Sequence, residues 1–141
     1  MNDKAKVKPL TPAQRKWISR ADVAGRIWYP FARGYGRSSW ERCMRDLVQR
    51  GILVERYPGF DLAPRGIEYK RGADAAVRVW RKLKLPMGKW DERLLPLLSD
   101  EIGPNVPYPD AVMQGAKDRW ADILAGRFMF YTDGTSYWSG L

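Results

Sequence analysis

Residues 31–71 read FARGYGRSSWERCMRDLVQRGILVERYPGFDLAPRGIEYKR, and this stretch decides the fold. It predicts, in order, a turn, a basic helix, a two-stranded hairpin closed by Pro58-Gly59, and the start of a further helix. Further predicted elements lie on both sides of these four.

The basic helix is the clearest element in this stretch. Ser38-x-x-Glu41 has the pattern of a capping box, which predicts a helix that starts at Ser39. Gly51 predicts its end. At about 100° per residue the side chains divide into two arcs. The apolar arc holds Trp40, Cys43, Met44, Leu47 and Val48, and the polar arc holds Glu41, Arg42, Arg45, Asp46 and Gln49.

Elements on both sides of the basic helix have local signals of their own. Residues 52–57 and 60–63 are rich in β-formers. Pro64-Arg65-Gly66 should turn the chain into a further helix that runs to about Leu83, with Gly72 weakening its middle. Upstream, Thr11-Pro12 predicts a capped helix over residues 11–23. A short strand at residues 27–29 and a brief helix at 30–33 should follow. Residues 1–10 are predicted to form a flexible basic arm.

The last third of the chain predicts a second group of elements. Residues 85–109 contain five prolines and a short helix near residues 90–98. Pro109 should begin a last helix that stops at Gly126, and Asp133-Gly134 should close a final hairpin. Residues 85–141 are therefore expected to be an extension that packs on the rest of the chain or dimerises.

Two segments resemble the winged helix-turn-helix family of DNA-binding transcription regulators. Ala32-x-x-x-Gly36-x-Ser38 is similar to the alanine, turn glycine and polar cap of its helix-turn-helix. Residues 47–66, LVQRGILVERYPGFDLAPRG, resemble its pattern of a leucine, a glycine, a wing and a closing glycine. The likeness covers roughly residues 11–83. It implies an α+β fold that is mainly helical, with a winged-helix domain over residues 11–84.

The same resemblance implies how such a domain would contact DNA. The basic helix would enter the major groove, and the wing at residues 53–63 would lie on the flanking backbone. Arginine can pair with guanine, glutamine with adenine, and a helix start favours phosphate. The expected DNA-binding residues are Arg37, Ser38, Ser39, Arg42, Arg45, Gln49 and Arg56.

Composition supports a polyanionic partner and excludes several chemistries. The net charge is +9 and the pI is near 9.9, which favours nucleic acid. The chain has no histidine and one cysteine, which excludes histidine-dependent catalysis, zinc fingers and an internal disulfide. No apolar run approaches the roughly 18 residues of a membrane span. We expect a cytoplasmic, nucleoid-associated protein without cofactor, metal or enzymatic activity.

Two alternatives to DNA binding remain open at this stage. The same scaffold serves other proteins as a protein-binding adaptor or inhibitor, and the compact, Trp-rich, histidine-free chain has a phage-like composition. In that case the charges on the basic helix are simply solvated, or Arg42 and Arg45 pair with Glu41 or Asp46. A small nuclease would instead need carboxylates such as Asp91 and Asp118 to converge on a metal.

Overall fold

The structure is a computed structural model that describes residues 9–28, 37–83 and 88–139. They form an α+β fold that is mainly helical, as the sequence predicted. The predicted basic arm, apart from its last residues, and the brief helix at 30–33 lie outside the described residues. The elements are α1 (Pro12–Ser19), β1 (Arg26–Trp28), α2 (Arg37–Gln49), β2 (Leu53–Arg56), β3 (Gly59–Leu62), α3 (Pro64–Lys82), α4 (Leu95–Ile102), α5 (Pro109–Leu124), β4 (Phe128–Phe130) and β5 (Ser136–Trp138).

Helix α1 begins at the predicted cap and ends earlier than predicted. Thr11 Oγ1 accepts a hydrogen bond from the Gln14 backbone N–H at 3.2 Å, and Gln14 Oε1 accepts one from the Thr11 N–H at 3.0 Å. The helix ends at Ser19 and not at Val23. The side chain of Asp22 accepts hydrogen bonds from the backbone N–H groups of residues 24 and 26. It thereby stabilises a turn that competes with further helix.

The reciprocal cap of α1 leads to a first prediction. Thr11→Ala should lower the free energy of unfolding by about 1 kcal/mol, because the Gln14 N–H loses its acceptor. Urea denaturation followed by circular dichroism measures the change. Thr132→Ala is the matched control, since Thr132 is exposed in the final hairpin and should shift stability by less than about 0.5 kcal/mol. Equal effects of the two substitutions would contradict a stabilising cap.

Helix α2 has the two predicted faces but a different start. Trp40, Met44 and Leu47 are buried, as predicted for the apolar arc. The helix begins at Arg37, so the predicted capping box at Ser38 is wrong: an N-cap residue has non-helical backbone angles, whereas Ser38 lies inside the helix. Gly51 ends the helix as predicted, with a φ of 76°. The N–H of residue 52 then bonds back to the Leu47 carbonyl at 3.0 Å, which satisfies a free helix-end acceptor.

The predicted hairpin belongs to a three-stranded antiparallel sheet with the order β1-β3-β2. Leu53 pairs with Leu62, and Ile27 of β1 pairs with Phe60. The turn consists of Tyr57 and Pro58, joined by a cis peptide bond, so the prediction that Gly59 forms the turn is wrong by one residue. Gly59 pairs with Arg56 as the first residue of β3. This position requires glycine because β1 passes too close for a side chain: an added Cβ would be 2.2 Å from the Ile27 carbonyl oxygen.

Helices α3 and α5 pack backbone against backbone through two glycines. A Cβ atom on Gly72 would lie 1.9 Å from the Val112 carbonyl oxygen, and one on Gly115 would lie 2.0 Å from the Tyr69 carbonyl oxygen. The helix α3 continues through Gly72 without a break. Gly72 therefore allows α5 to approach α3 closely. The sequence predicted only that Gly72 would weaken the helix, and not this contact.

The hydrophobic core consists of two clusters, and α3 contributes to both. The first lies between α1, α2 and the three-stranded sheet and includes Tyr69 of α3. The second lies between α3, α4 and α5, around the fully buried Trp120. Trp80 and Trp90 contact Trp120 edge to face at centroid distances of 4.9 and 5.7 Å. Along α5, Ala111, Val112, Ala116 and Trp120 are buried, Ile123 is half-buried and Leu124 is 42% exposed.

The C-terminal hairpin packs on the helices, which was one of its predicted arrangements. Strands β4 and β5 pair antiparallel, with Phe128 opposite Trp138. Trp138 Nε1 donates a hydrogen bond to Ser19 Oγ at 2.7 Å, and Arg81 of α3 donates one to the Gly134 carbonyl. The hairpin thereby joins the end of α1 to α3. No helix among the described residues has the length and apolar character needed to cross a membrane.

Candidate nucleic-acid interface

The predicted contact residues on α2 share its exposed side. Ser39, Arg42, Arg45 and Gln49 are all exposed, and at about 100° per residue they span an arc of roughly 120°. Neither Arg42 nor Arg45 forms an ion pair with any residue that the structure describes. Two guanidinium groups and one amide on this side of α2 are therefore available to a partner.

Asp46 does not neutralise these arginines. Its carboxylate accepts hydrogen bonds from Gln14 Nε2 at 2.7 Å and from Arg50 Nε at 2.9 Å. Gln14 is only 3% exposed, and its amide also contacts the Cys43 carbonyl at 3.4 Å. The predicted alternative in which Asp46 pairs with Arg42 or Arg45 is wrong, because Asp46 instead joins α2 to α1.

Aromatic packing beneath α2 holds the helix in its orientation. The Trp40 ring contacts Trp17 of α1 and Phe60 of β3 edge to face, at centroid distances of 5.9 and 5.7 Å. Such contacts stabilise beyond the burial of apolar area alone. Burial raises the pKa of the Cys43 thiol, and the charge of Asp46 adds to this, so the thiol stays protonated. The packing of its buried face thus fixes the orientation of the exposed arc of α2.

Arg56 lies at the end of β2, in the predicted wing. Its side chain is 69% exposed, and its Nε contacts Asp61 Oδ2 at 2.7 Å. The other oxygen of Asp61 accepts a hydrogen bond from Arg26 Nη1 at 3.0 Å. Two arginines therefore share the Asp61 carboxylate at this end of the sheet. Tyr57, beside Arg56 at the hairpin tip, is 83% exposed.

Two further predicted contacts are placed only in part. Arg37 and Ser38 form the first residues of α2, and their side chains lie outside the described part of the chain. Backbone N–H groups at the first turn of a helix favour an anion. A phosphate contact at the start of α2 therefore stays a prediction.

The acidic residues considered for a nuclease are bonded to protein groups. Asp118 accepts hydrogen bonds from the Tyr69 hydroxyl and from Gln114 Nε2, and Asp91 pairs with Arg93 at 2.9 Å. Burial and the charge of Asp118 raise the pKa of Tyr69, so this phenol stays protonated and donates. Within the described ranges no three His, Cys, Asp or Glu side chains are grouped so that they could hold a metal ion.

Sequence reasoning missed the charged groups that the tertiary structure buries. Asp122 is completely buried and accepts hydrogen bonds from Arg15 and Arg127. Burial alone would lower the pKa of Arg15, but the hydrogen bond and charge of Asp122 outweigh it and raise that pKa. Arg119 of α5 is also buried, under the C-terminal hairpin. No local signal marks these residues, because their burial depends on contacts with distant elements, such as that between Asp122 and Arg15, 107 positions apart.

Comparison with other proteins does not assign a family. The chain has no significant match among protein-family models, curated proteins or solved structures. A function is therefore inferred from the geometry of the described residues, above all from the exposed arc of α2 and the neighbouring end of the sheet.

Proposed function

We propose that this protein is a winged helix-turn-helix protein that binds double-stranded DNA sequence-specifically and regulates transcription. The observation that carries the proposal is the exposed arc of α2, where Arg42 and Arg45 have no ion-pair partner among the described residues. The succession of α2, the β2–β3 hairpin and α3 has the order expected of a reading helix, its wing and the helix after it. Nothing in this role requires a cofactor or catalysis.

Each exposed group has a contact that its chemistry suits. An α-helix fits the major groove, where arginine pairs with the two acceptors of guanine and glutamine with adenine. Arg42, Arg45 and Gln49 take these roles, and Ser39 contacts a base edge or a phosphate. Arg56 and the hairpin tip lie on the flanking backbone. Arg37 and Ser38 contact phosphate at the start of α2.

The charge of the chain supports this partner. With a net charge of +9, the protein attracts a polyanion before any specific contact forms. Arg56 at the end of β2 is 69% exposed, so its guanidinium is accessible to a phosphate. Each phosphate contact releases counterions, so the logarithm of the association constant should fall with the logarithm of salt by about 0.9 per contact. The proposed role places the protein in the cytoplasm, with the nucleoid.

A second prediction tests the arc of α2 directly. Fragments selected from a random DNA pool should be bound by the wild type, and Arg42→Ala with Arg45→Ala should lower the affinity by roughly 30-fold or more. The reason is that each lost bidentate base contact costs about 1–3 kcal/mol. Fluorescence anisotropy over a series of salt concentrations measures both the affinity and its salt slope.

A matched control separates the arc from the overall charge. Arg93→Ala with Lys117→Ala also removes two positive charges from exposed positions, but away from α2. This control should change DNA affinity by less than about threefold at moderate salt, because distant charges are screened. The proposal fails if no DNA is retained at low salt, or if the α2 variant binds as well as the wild type.

The expected homodimer is part of the same proposal. Many readers of this kind bind two half-sites as dimers. Exposed apolar side chains occur within residues 85–141, and a contact between two copies would cover them: Leu97, Leu124, Met129 and Tyr131. The DNA fragments selected above report on this arrangement, since two symmetric half-sites indicate a dimer and one half-site indicates a monomer.

A protein-binding adaptor or inhibitor, of phage origin, is the second candidate. The observation in its favour is the outer face of the three-stranded sheet, where Trp28 and Val54 are 54% and 45% exposed. Arg26 lies on the same face, with its guanidinium 4.6 Å from the centre of the Trp28 ring. Aromatic residues and arginine are enriched in protein interfaces. A stoichiometric protein partner that is lost with Trp28→Ala and retained with the Arg42 and Arg45 substitutions would favour this candidate.

A further inference from the structure

A cavity of about 390 Å³ opens beneath the C-terminal hairpin. It lies between the end of α1, the middle of α3, the second half of α5 and strands β4 and β5. Its size falls in the range of small-molecule sites, roughly 300–1,000 Å³. Its walls are aromatic on the hairpin side and charged on the helix side. The residues that matter for its chemistry are Arg20, Asp74, Arg119, Phe128, Ser136 and Trp138.

Arg119 lines this cavity with an unsatisfied guanidinium. Its side chain is only 5% exposed, and the nearest carboxylate oxygen, Asp74 Oδ1, is 3.9 Å from Nη1. That distance is too long for a hydrogen bond. No described residue accepts a hydrogen bond from the guanidinium, although it carries five N–H donors. The protein does not fully enclose these N–H groups, so they open onto the cavity and are available to an acceptor there.

The groups around Arg119 do not supply an acceptor. The rings of Phe128 and Trp138 lie 4.4 and 5.5 Å from its central carbon. Aromatic rings attract the cation, but they give its in-plane N–H groups no oxygen. The closer contact of Asp74 is with Lys70, whose Nζ is 3.1 Å from Oδ2. Burial lowers the pKa of Arg119, and the charge of Asp74, whose Oδ1 is 3.9 Å from Nη1, opposes this without a hydrogen bond.

A second guanidinium adds positive charge at the cavity. Arg20 is exposed, and it forms no ion pair with any residue in the described ranges. Its guanidinium lies 5.4 Å from the centre of the Trp17 ring. Ser136, an exposed residue of β5, also lines the cavity. The cavity thus has two arginines against one carboxylate, and Lys70 already pairs with that carboxylate.

We propose that this cavity binds a small organic oxyanion, with a carboxylate or phosphate head on Arg119 and Arg20 and a planar body against Trp138 and Phe128. A guanidinium presents a planar fork that matches two oxygens of such a head. The aromatic wall suits a flat apolar body. The site lies apart from the exposed arc of α2 and does not depend on DNA binding.

Calorimetric titration with four probes tests the chemistry of the site. Benzoate and phenyl phosphate carry both a planar body and an anionic head, inorganic phosphate lacks the body, and benzyl alcohol lacks the charge. We expect at least one of the two ring-bearing anions to bind the wild type with a dissociation constant below about 10 mM at constant ionic strength. It should bind at least about fivefold more tightly than inorganic phosphate or benzyl alcohol. The tighter of the two identifies the head group.

Three substitutions assign the binding to this cavity. Arg119→Lys should weaken binding at least about tenfold, because an ammonium group cannot pair with two oxygens at once. Arg20→Gln should weaken it about threefold or more, and Asp74→Asn should strengthen it by removing the competing carboxylate. The last two residues are more exposed, so they keep the test decisive if Arg119→Lys does not fold. Arg93→Gln, remote from the cavity, should have no effect.

The proposal is overturned by any of three results. The first is that neither ring-bearing anion binds the wild type. The second is that benzyl alcohol binds as tightly as both anions. The third is that Arg20→Gln and Asp74→Asn leave binding unchanged. None of these results bears on DNA affinity, which is measured with other variants.

Discussion

Asp122→Ala should lower the free energy of unfolding by about 3–5 kcal/mol, one of the two largest effects that we expect from a single substitution. The Asp122 side chain is completely buried. It accepts hydrogen bonds from Arg15 Nε and Nη2 at 2.8 and 2.7 Å, and from Arg127 Nε at 2.8 Å. The carboxylate therefore joins α1, α5 and the start of the C-terminal hairpin.

The expected loss of stability comes from leaving an arginine buried without a counterion, and not from the net stabilisation that the ion pair itself provides. A buried ion pair stabilises a protein little compared with apolar packing, because both charges lose water. Removing one partner is different, since Arg15, only 12% exposed, would keep its charge without a counterion. Arg127 is 37% exposed and should contribute less, because solvent screens it.

Urea denaturation of Asp122→Ala and Asp122→Asn measures this effect. Asn keeps the volume but removes the charge, so it should also destabilise, by a smaller amount. Asp100→Ala is the control, since Asp100 is exposed on α4 and should change stability by less than about 0.5 kcal/mol. A double-mutant cycle with Arg15→Ala gives the coupling energy. A loss below about 1 kcal/mol for Asp122→Ala would contradict the structural role of this carboxylate.

Gly72→Ala should lower the free energy of unfolding by at least about 1–3 kcal/mol, although helix propensity alone predicts the opposite sign. In an exposed helix, alanine is more favourable than glycine by about 1 kcal/mol. At Gly72 the added Cβ would lie 1.9 Å from the Val112 carbonyl oxygen and 2.6 Å from its carbonyl carbon. Both atoms belong to the backbone and cannot rotate away, so α3 and α5 must separate. The lost packing outweighs the gain in helix propensity, and the substitution should therefore destabilise the protein.

Thermal and urea unfolding of four variants tests this contact. Gly115→Ala should behave like Gly72→Ala, because its Cβ would meet the Tyr69 carbonyl oxygen at 2.0 Å. The double variant should lose less stability than the sum of the losses of the two single variants, since one separation of the helices relieves both clashes. Gly88→Ala is the control, because nothing lies within 4 Å of its added Cβ. Stabilisation by Gly72→Ala, as propensity predicts, would refute the close approach.

Helix α2 illustrates how far sequence reasoning reached at the candidate site. Its buried and exposed faces follow from residue spacing alone, because a helix turns by about 100° per residue whatever its surroundings. Gly51 was predictable as the helix end, since glycine readily adopts the positive φ found there. The start at Arg37 was not predictable from the capping motif, because several polar residues near a helix start compete for the cap and the backbone path selects among them.

The support behind the exposed arc was beyond sequence reasoning. Asp46 was expected to be a neighbour of Arg42 and Arg45, because these residues are close on the helix. The structure instead directs its carboxylate to Gln14, a residue 32 positions earlier. This hydrogen bond depends on how α1 packs on α2. The spacing of residues within α2 carries no information about that packing. It leaves the two arginines without a partner among the described residues, and this is the basis of the proposed DNA contact.

The sequence by itself determined the order of helices and strands, the faces of α2 and the α+β class, because these follow from residue spacing and turn chemistry among near neighbours. Only the tertiary structure decided that Gly72 is a contact between helices, that Asp122 holds two arginines and that Arg119 is buried without an acceptor. Each involves residues far apart in the chain, such as Arg15 and Asp122, which are 107 positions apart. Local patterns carry no information about such partners, since packing between elements brings them together.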